Sequence, residues 1–331
     1  NKSDFNIDGD YVLCGQEMYY WDGLNWSLQQ SLITSGAESS NDLWGSALEG
    51  STCVIGATNA VYVFTRSGTT WTEQAILVSG DVFTGEYGFG MDVLLSGDTC
   101  IVGAQMTKNG SNSNGQGAVY VFTGSGSTWT QDQKLVASDR EDNDFFGGAI
   151  AMYGDTLAIT AGGWDIPDLL QPQPASEVID GGGIYIFTRS GGTWTEAATL
   201  FPDDPTPGNP VGLNLSIHGN TIAANRQDVS NDHSVYIFTG SGSTWTQEQK
   251  IIADGDSNLV SFGYRFVVSG DLCVIGAPNS NGNIGTVYTF TRSGTTWTQD
   301  QTIVATTPIA NGLFGYKIGI DNDSDNCLVG S

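Results

Sequence analysis

Basic side chains are scarce in this chain, and long apolar runs are absent. Its 331 residues include 11 Lys and Arg against 36 Asp and Glu, a formal charge of −25. So acidic a surface repels nucleic acid and anionic membranes and attracts cations. No apolar run approaches the roughly 20 residues that span a bilayer as a helix. Two explanations of the acidity stay open: the solubility of a secreted protein, and cation binding.

The usual sequence signs of catalysis are missing as well. Only two histidines occur, His218 and His233, and neither has the spacing of a metal-ligand pair. The sequence has no Gly-x-Ser-x-Gly elbow, no phosphate-binding loop and no Cys-x-x-Cys. Paired carboxylates in acidic loops are the one arrangement suited to acid–base chemistry. We therefore expect that this protein is not an enzyme.

What the chain does have is a recurring segment. Residues 61–72 read V-Y-V-F-T-R-S-G-T-T-W-T, and similar segments occupy residues 18–27, 119–130, 184–195, 235–246 and 287–298. The tryptophans that close them are 45 to 65 residues apart: Trp26, Trp71, Trp129, Trp194, Trp245 and Trp297. A period of this size without a helical pattern indicates a β-propeller or a β-solenoid.

Each repeat can be written as four strands, A to D. In residues 89–135, strand A starts at Phe89-Gly90, a tight Gly-Asp turn leads to strand B, and strands C and D follow. Both faces of strand C are apolar with period 2, which suits a sheet packed between two others. Seven A–B units are counted, starting near Asn1, Trp44, Phe89, Phe146, Val211, Phe262 and Phe314.

Two motifs in these units resemble the FG-GAP repeat. The first half matches at Phe89-Gly90, Phe146-Gly147, Phe262-Gly263 and Phe314-Gly315, and the second at Ile275-Gly276-Ala277-Pro278, with shorter forms at residues 55–57 and 102–104. This is the repeat of integrin alpha-subunit propellers and of many bacterial and viral surface proteins. The resemblance implies an all-β, seven-bladed β-propeller of four-stranded blades, one domain over residues 1–331, with the seventh blade incomplete.

The sequence begins and ends within a repeat. Asn1 aligns with the Phe position of strand A, and Ser331 ends strand B of the seventh unit. We expect an ordered fragment of a longer polypeptide. The alternative is that a neighbouring chain supplies strands C and D by β-augmentation and links subunits into a filament.

The five cysteines are expected to be buried and unpaired. Cys53, Cys100, Cys273 and Cys327 lie three residues before the strand-B glycine, where other repeats have Leu or Ile, and Cys14 lies two residues further along. Cysteine therefore replaces an aliphatic core residue. Equivalent positions in different blades lie too far apart for a disulfide.

Ligand-binding residues are expected in the loops, because packing consumes the strands. The D–A loops are acidic, and the candidates there are Asp139, Asp142, Asp144, Asp254 and Asp256. Trp164 lies in the long B–C loop over residues 162–182. Either it packs this loop onto its own blade, or it is an exposed aromatic that stacks on a sugar or a partner side chain.

Calcium is the cofactor that the resemblance raises, because integrin-like propellers carry Asp-rich A–B loops. Here only Asp321, Asp323 and Asp325 alternate in this way, without the loop's closing acid, and the Asp139–Asp144 cluster is a second candidate. Among the glycosylation sequons, Asn109 is the one most expected to be used, because its loop is polar.

Three functions remain. The first is a non-catalytic extracellular or surface module for adhesion or structural assembly, in a filament, coat or virion surface. The second is a lectin-like propeller that binds carbohydrate, and the third is a propeller-type hydrolase or lyase. The expected partners are protein subunits, copies of this chain included, or cell-surface glycans, and not nucleic acid or a membrane interior.

Overall fold

A computed structural model describes residues 5–36, 43–80, 88–108, 115–166, 180–226, 233–253, 261–321 and 326–330. The regular secondary structure of these residues is almost entirely β-strand, as the sequence predicts. One helical turn occurs in them, Ser280–Asn283, and it is irregular because Asn281 and Gly282 have positive φ. No helix in the described ranges is long and apolar enough to cross a membrane.

The strands form six four-stranded sheets and one two-stranded sheet, each in sequential order. Blade 1 consists of β1 Phe5–Asp8, β2 Tyr11–Cys14, β3 Glu17–Trp21 and β4 Trp26–Ser31. Blade 2 consists of β5 Leu43–Glu49, β6 Thr52–Ala57, β7 Ala60–Ser67 and β8 Thr70–Leu77. Blade 3 consists of β9 Phe89–Ser96, β10 Thr99–Ala104, β11 Ala118–Ser125 and β12 Thr128–Leu135. Blade 4 consists of β13 Phe146–Tyr153, β14 Thr156–Ala161, β15 Gly183–Ser190 and β16 Thr193–Leu200. Blade 5 consists of β17 Val211–His218, β18 Thr221–Arg226, β19 Ser234–Ser241 and β20 Thr244–Ile251. Blade 6 consists of β21 Arg265–Ser269, β22 Leu272–Ala277, β23 Thr286–Ser293 and β24 Thr296–Ile303. The two-stranded sheet is β25 Lys317–Asp321 and β26 Asn326–Gly330.

This is β-propeller architecture, with six complete blades and a partial sheet of two strands. The chain divides into two compact units, residues 1–148 with 321–326, and residues 149–320 with 327–331. Blades 1 to 3 belong to the first unit. Blades 5 and 6 and most of the two-stranded sheet belong to the second, and β13 of blade 4 begins in the first unit and ends in the second.

The repeat sequence explains how a blade packs. The first five residues of strand C are buried on both faces in blades 2 to 5, as the double apolar pattern predicts. The phenylalanine of the Phe-Gly pair packs edge-on against the strand-C Tyr and Phe of its own blade. Phe89 lies 5.5 Å from Tyr120 and 6.2 Å from Phe122 between ring centroids, and Phe262 contacts Tyr288 and Phe290 in the same way.

The glycines of the two motifs meet between neighbouring blades. Gly90 has φ +87. A Cβ added to Gly56 would lie only 2.0 Å from the carbonyl oxygen of Gly90. Gly276 approaches the Gly315 carbonyl in the same way, with a corresponding distance of 2.2 Å. In blade 5 this strand-B position is Asn225, whose Nδ2 donates to the Gly263 carbonyl at 3.0 Å. The two halves of the motif therefore meet in one contact. The strand-B glycine of the second half, in one blade, touches the Phe-Gly glycine of the first half, in the next blade.

Strand A starts later than expected in the last two units. The sequence places its start at Phe262 and Phe314, whereas β21 begins at Arg265 and β25 at Lys317. In blade 6 the Phe262-Gly263 pair lies in a turn that is closed by a hydrogen bond from Tyr264 N to Ser261 O at 3.0 Å. In blade 6 the pairing of strand A with strand B begins only at Arg265, opposite Gly276, whereas in blade 3 Phe89 itself is paired with Ala104.

Three kinds of hydrogen bond, here called latches, join neighbouring blades. In the first, the amide of an A–B turn glycine donates to the last side chain of strand A in the preceding blade, as Gly97 does to Glu49 at 2.6 Å and Gly270 to His218 Nδ1 at 3.0 Å. Gly50 donates to Asp8 in the same way.

The other two latches join outer strands. A strand-D glutamine side chain pairs with both the N–H and the C=O of the next blade's tryptophan, at 2.8 and 2.9 Å for Gln30 with Trp71. Gln249 pairs with Trp297 in the same way. In the third latch, a D–A loop amide donates to the next strand D, as Gly80 N does to Gln131 Oε1 at 2.8 Å.

Five of the strand-D tryptophans adopt two arrangements, and the residue opposite on strand C decides between them, while Trp26 lies opposite Trp21 with ring centroids 5.4 Å apart. Opposite Arg66, Arg189 and Arg292 the indoles of Trp71, Trp194 and Trp297 are buried, and each guanidinium carbon lies within 6 Å of the ring. Opposite Gly124 and Gly240 the ring folds over the glycine. Its Nε1–H then donates at 3.1 Å to the carbonyl of Gly126 or Gly242.

All five cysteines are free, as predicted, but not all are buried. Cys53, Cys100 and Cys273 are fully buried, and burial raises the pKa of the Cys100 and Cys273 thiols to about 12. The expectation of burial is wrong for Cys14, which is half-buried, and for Cys327, which is exposed. Cys14 lies beyond the buried column, and Cys327 is on β26, which has no strand C beside it among the described residues.

Candidate functional site

The loops at one end of each blade carry the residues that the sequence predicts to bind ligands. Because the strands alternate in direction, the B–C connection of a blade and the D–A loops flanking it lie at the same end of the sheet. The described parts of this loop rim in blades 3 to 5 have three distinct arrangements. They are an acidic loop, a buried tryptophan and a network around an arginine.

The acidic loop after blade 3 folds around one of its own carboxylates. Asp144 is buried and its Oδ2 accepts a hydrogen bond from Glu141 N at 2.5 Å. Asp142 is exposed and accepts from Gln116 Nε2 at 3.0 Å, which ties the loop to the B–C connection of the same blade. Asp139 is exposed. The structure therefore leaves Asp139 and Asp142 at the surface, while Asp144 organises the loop.

Trp164 is inside the protein. Only 4% of it is exposed, and its ring lies 5.8 Å from Tyr185 and 6.3 Å from Phe201 between centroids. A Cβ on Gly183 would come within 2.4 Å of the indole, so this glycine makes room for the ring. The expectation of an exposed stacking aromatic is wrong, and the alternative, in which Trp164 packs its loop onto its own blade, is what the structure shows.

Blade 5 contains a buried arginine that the sequence reading did not single out. Arg226 is 2% exposed, and its NH1 donates to Tyr236 Oη at 2.6 Å. Its NH2 donates to the Asp204 carbonyl at 2.7 Å and to Thr206 Oγ1. Asp204 also receives hydrogen bonds from Tyr236 Oη and from Lys250 Nζ, each at 2.8 Å. The network fastens the D–A loop around residues 204–209 to blade 5.

The protonation states of this network follow from its contacts. Desolvation disfavours the charged form of Asp204, but hydrogen bonds from Lys250 and Tyr236 and the charges of Lys250 and Arg226 outweigh it, so the pKa of this carboxyl lies below its usual value. Desolvation, followed by the hydrogen bond to Asp204, raises the pKa of Tyr236. Asp204 is thus ionised and Tyr236 neutral at physiological pH. Both carboxylate oxygens are engaged, so this network holds a loop and offers no free base.

A signal in the repeat identifies Arg226. It occupies the position where blades 2, 3, 4 and 6 have Ala57, Ala104, Ala161 and Ala277. A large cation in a column of buried alanines needs an acidic partner. Asp204, in the preceding acidic loop, is such a partner.

Several predicted site residues lie outside the described part of the chain. These are Asp254, Asp256, Asp323, Asp325 and Asn109, and of Asp321 only the backbone is described. Within the described residues, no group of three or more His, Cys, Asp or Glu is placed to hold a metal ion. The structure therefore does not bring the carboxylates of the Asp139–Asp144 cluster together as such a group, and calcium binding at residues 321–325 stays a prediction.

Comparison with known families decides what the repeat is. A family model described as the FG-GAP repeat matches residues 71–122, 129–187 and 245–290. The chain carries FG-GAP repeats. A comparison with curated proteins found no match.

The matched segments show where one FG-GAP repeat begins and ends on the structure. Each runs from the strand-D tryptophan of one blade to the strand-C phenylalanine of the next: Trp71 to Phe122, Trp129 to Phe187 and Trp245 to Phe290. The repeat thus includes the D–A loop and crosses a blade boundary. The unmatched interval between Phe187 and Trp245 contains Asn225 and Arg226, where blade 5 departs from Gly-Ala.

Proposed function

We propose that this FG-GAP protein is a non-catalytic module for adhesion or structural assembly on an extracellular surface, and that the loop rim is its binding surface. The observation that carries the proposal is the loop after blade 3, where Asp139, Glu141 and Asp142 are exposed next to a blade whose strand C is buried. Exposed carboxylates on a rigid support attract a basic partner surface. FG-GAP repeats also occur in integrins, which are adhesion proteins.

The absence of catalysis is part of the proposal. In the described residues, His218 accepts the latch hydrogen bond from Gly270, and the carboxylate of Asp204 is fully engaged. A propeller-type hydrolase or lyase would need a carboxylate pair free to exchange protons. Release of reducing sugar from a polysaccharide panel would contradict the non-catalytic assignment.

We further propose that the six blades and the two-stranded sheet are the seven blades of one propeller domain over residues 1–331, with strand A lining its channel. The Gly-Gly contact and the latches recur from blade to blade, which favours a regular array. Class averages from electron microscopy should show seven-fold pseudosymmetry. A six- or eight-fold pattern would contradict it.

The proposed partners are other protein subunits, including copies of this chain in a filament, coat or virion surface. A carbohydrate ligand is the second candidate, and one observation favours it. Exposed amides form a hydrogen-bonded chain from Asn279 to Asn283 to Asn311, with Ser261 donating to Asn279 at 2.8 Å. Such amides bind sugar hydroxyls, although the buried Trp164 does not provide a stacking face.

Calcium and glycans complete the proposal. If Asp321, Asp323 and Asp325 bind calcium, millimolar calcium should raise the melting temperature, and replacing all three by Asn should abolish the increase. Of the sequons in the described residues, Asn25 is exposed, whereas the Asn214 side chain bonds Tyr264 and Arg265. We propose glycosylation at Asn109, which glycopeptide mass spectrometry of secreted protein would test.

The decisive experiment compares both ends of a blade. Beads coated with the protein are passed over a lysine-rich peptide surface and over a glycan array. Replacing Glu141 and Asp142 by Gln and Asn should reduce retention on the basic surface. The matched control combines Asp10→Asn with Asp98→Asn, which removes two exposed charges in A–B turns at the opposite end of the blades. Equal losses in both variants would reduce the effect to net charge and contradict a specific rim.

A further inference from the structure

Strand A of blade 5 is joined to strand A of blade 6 by a row of hydrogen bonds, here called the seam. Every second residue of β17 contributes a side chain, and blade 6 contributes main-chain groups. The three bonds run from Asn214 Nδ2 to Tyr264 O at 3.1 Å, from Val268 N to Ser216 Oγ at 2.9 Å, and from Gly270 N to His218 Nδ1 at 3.0 Å. The last of them, at the A–B end of the seam, is a latch of the first kind.

Only the bond at the A–B end depends on pH near neutrality. Amide and hydroxyl side chains do not titrate there, whereas histidine gains a proton between pH 8 and pH 5. The Nδ1 atom of His218 accepts a hydrogen bond in the neutral ring, whose proton is on Nε2. In the imidazolium both nitrogens carry a proton, so Nδ1–H and Gly270 N–H would be two donors facing each other. Protonation therefore removes this bond and does not alter the chemistry of the other two.

The surroundings of the ring leave this change to the histidine itself. On the blade 4 side, the Tyr153 ring lies 4.8 Å from the imidazole between centroids, and a phenol does not ionise between pH 8 and pH 5. The charged residues of the adjoining A–B turns are in ion pairs: Asp155 with Arg189, and Asp271 with Arg292, each at 2.8 Å. Arg292 also donates at 3.0 Å to Thr221, which is paired with His218 across β17 and β18. Carboxylates and guanidinium groups keep their charges throughout this pH range.

The acceptor distinguishes this latch from the two others of its kind in the described residues. Gly97 N donates to the carboxylate of Glu49 at 2.6 Å, and Gly50 N donates to that of Asp8. A carboxylate stays ionised in mild acid and continues to accept hydrogen bonds. Mild acid therefore acts on the junction between blades 5 and 6 and leaves those two latches closed.

We propose that His218 is a proton-operated latch, which closes the A–B end of the seam at neutral pH and releases it in mild acid. When the ring is protonated, the Gly270 amide loses its acceptor and the turn at residues 269–271 separates from blade 5. The bond from Val268 N to Ser216 Oγ persists, so the seam opens from one end only. This switch lies at the opposite end of the blades from the loop rim and does not depend on what the rim binds.

Amide hydrogen exchange of the native protein tests the switch. The protection factor of Gly270, which corrects for the pH dependence of exchange in a free chain, is compared at pH 8.0 and pH 5.5. Loss of one hydrogen bond should lower it by about fivefold at the lower pH. The protection factors of Val268 and Gly97 should stay unchanged, because their acceptors, Ser216 and Glu49, are the same at both pH values.

Two variants separate the proton from the ring. His218→Asn offers an amide oxygen in place of Nδ1 and cannot titrate, so Gly270 should stay protected at both pH values. His218→Phe keeps a ring beside Tyr153 without an acceptor, so protection should be low at both. His233 is present in all three proteins, and an effect of its protonation would persist in the variants. Three results would overturn the proposal: equal protection of wild-type Gly270 at both pH values, a loss in mild acid that persists in either variant, or an equal loss at Val268.

Discussion

Replacing Gly56 by Ala should destabilise the protein, although this glycine does not have positive φ. A Cβ at this position would lie 2.0 Å from the Gly90 carbonyl oxygen and 2.9 Å from its carbon. Ordinary carbon–oxygen contacts are about 3.3 Å or longer, so one blade would have to move by about 1.3 Å. The oxygen and carbon of Gly90 belong to the backbone of β9, which cannot rotate away as a side chain can.

The expected cost is about 3 kcal/mol, the upper end of the range for overpacked cores. Gly162→Ala is the matched control, because Gly162 also lacks positive φ but has nothing within 4 Å of a built Cβ. There the smaller entropy of the unfolded chain should leave stability unchanged or raise it by about 0.5 kcal/mol.

Thermal unfolding followed by tryptophan fluorescence measures the difference. At about 2 °C for each kcal/mol, Gly56→Ala should melt about 6 °C below the wild type, and Gly162→Ala at or slightly above it. If Gly56→Ala melted within a degree of the wild type, the close approach between the two motif halves would not constrain the fold.

Three further predictions follow from the packing and the network. In the native protein, iodoacetamide should modify Cys327 and, more slowly, Cys14, while the other thiols should react only after denaturation. Modification of Cys100 in the native protein at the rate of Cys327 would contradict its burial. Because the pKa of Asp204 is lowered from 3.8, its ionised form stabilises the fold above that pH and the contribution is lost as pH falls through the lower folded value. Asp204→Asn should therefore lower the melting temperature more at pH 7 than at pH 3, and an equal loss at both would refute the assignment. His218→Ala removes the acceptor of the Gly270 amide and should cost about 1 kcal/mol in urea unfolding, with an unchanged midpoint counting against that latch.

The sequence predicts the blades well because the repeat is internally redundant. Strand C is apolar on both faces in every copy, so one copy fixes its assignment in the others. The Gly-Asp and Gly-Asn turns set the A–B hairpins in the same way. The predicted starts at Phe262 and Phe314 are wrong because strand A is paired with strand B only from Arg265 in blade 6, and β25 begins only at Lys317, whereas Phe89 is itself paired with Ala104 in blade 3.

The loops and the exceptional side chains could not be predicted to the same degree. Trp164 sits in a loop of residue types that fit either burial or exposure, and only the space above Gly183 decides between them. The sequence shows that Arg226 replaces an alanine of the other repeats. It does not show that Arg226 pairs with Asp204, because Asp204 lies in the loop between blades 4 and 5, 22 residues earlier. Cys327 has the sequence context of a buried residue and is exposed because burial there depends on a strand beside it.

The first latch has a consequence for how such a chain can vary. At three junctions the donor is a main-chain amide of a turn glycine, while the acceptor is a carboxylate at Asp8 and Glu49 and an imidazole at His218. A peptide N–H can donate to any of these acceptors. At this latch the acceptor side chain can therefore differ between repeats without a compensating change in the turn glycine, whereas the Gly-Gly contact constrains both sides of the junction.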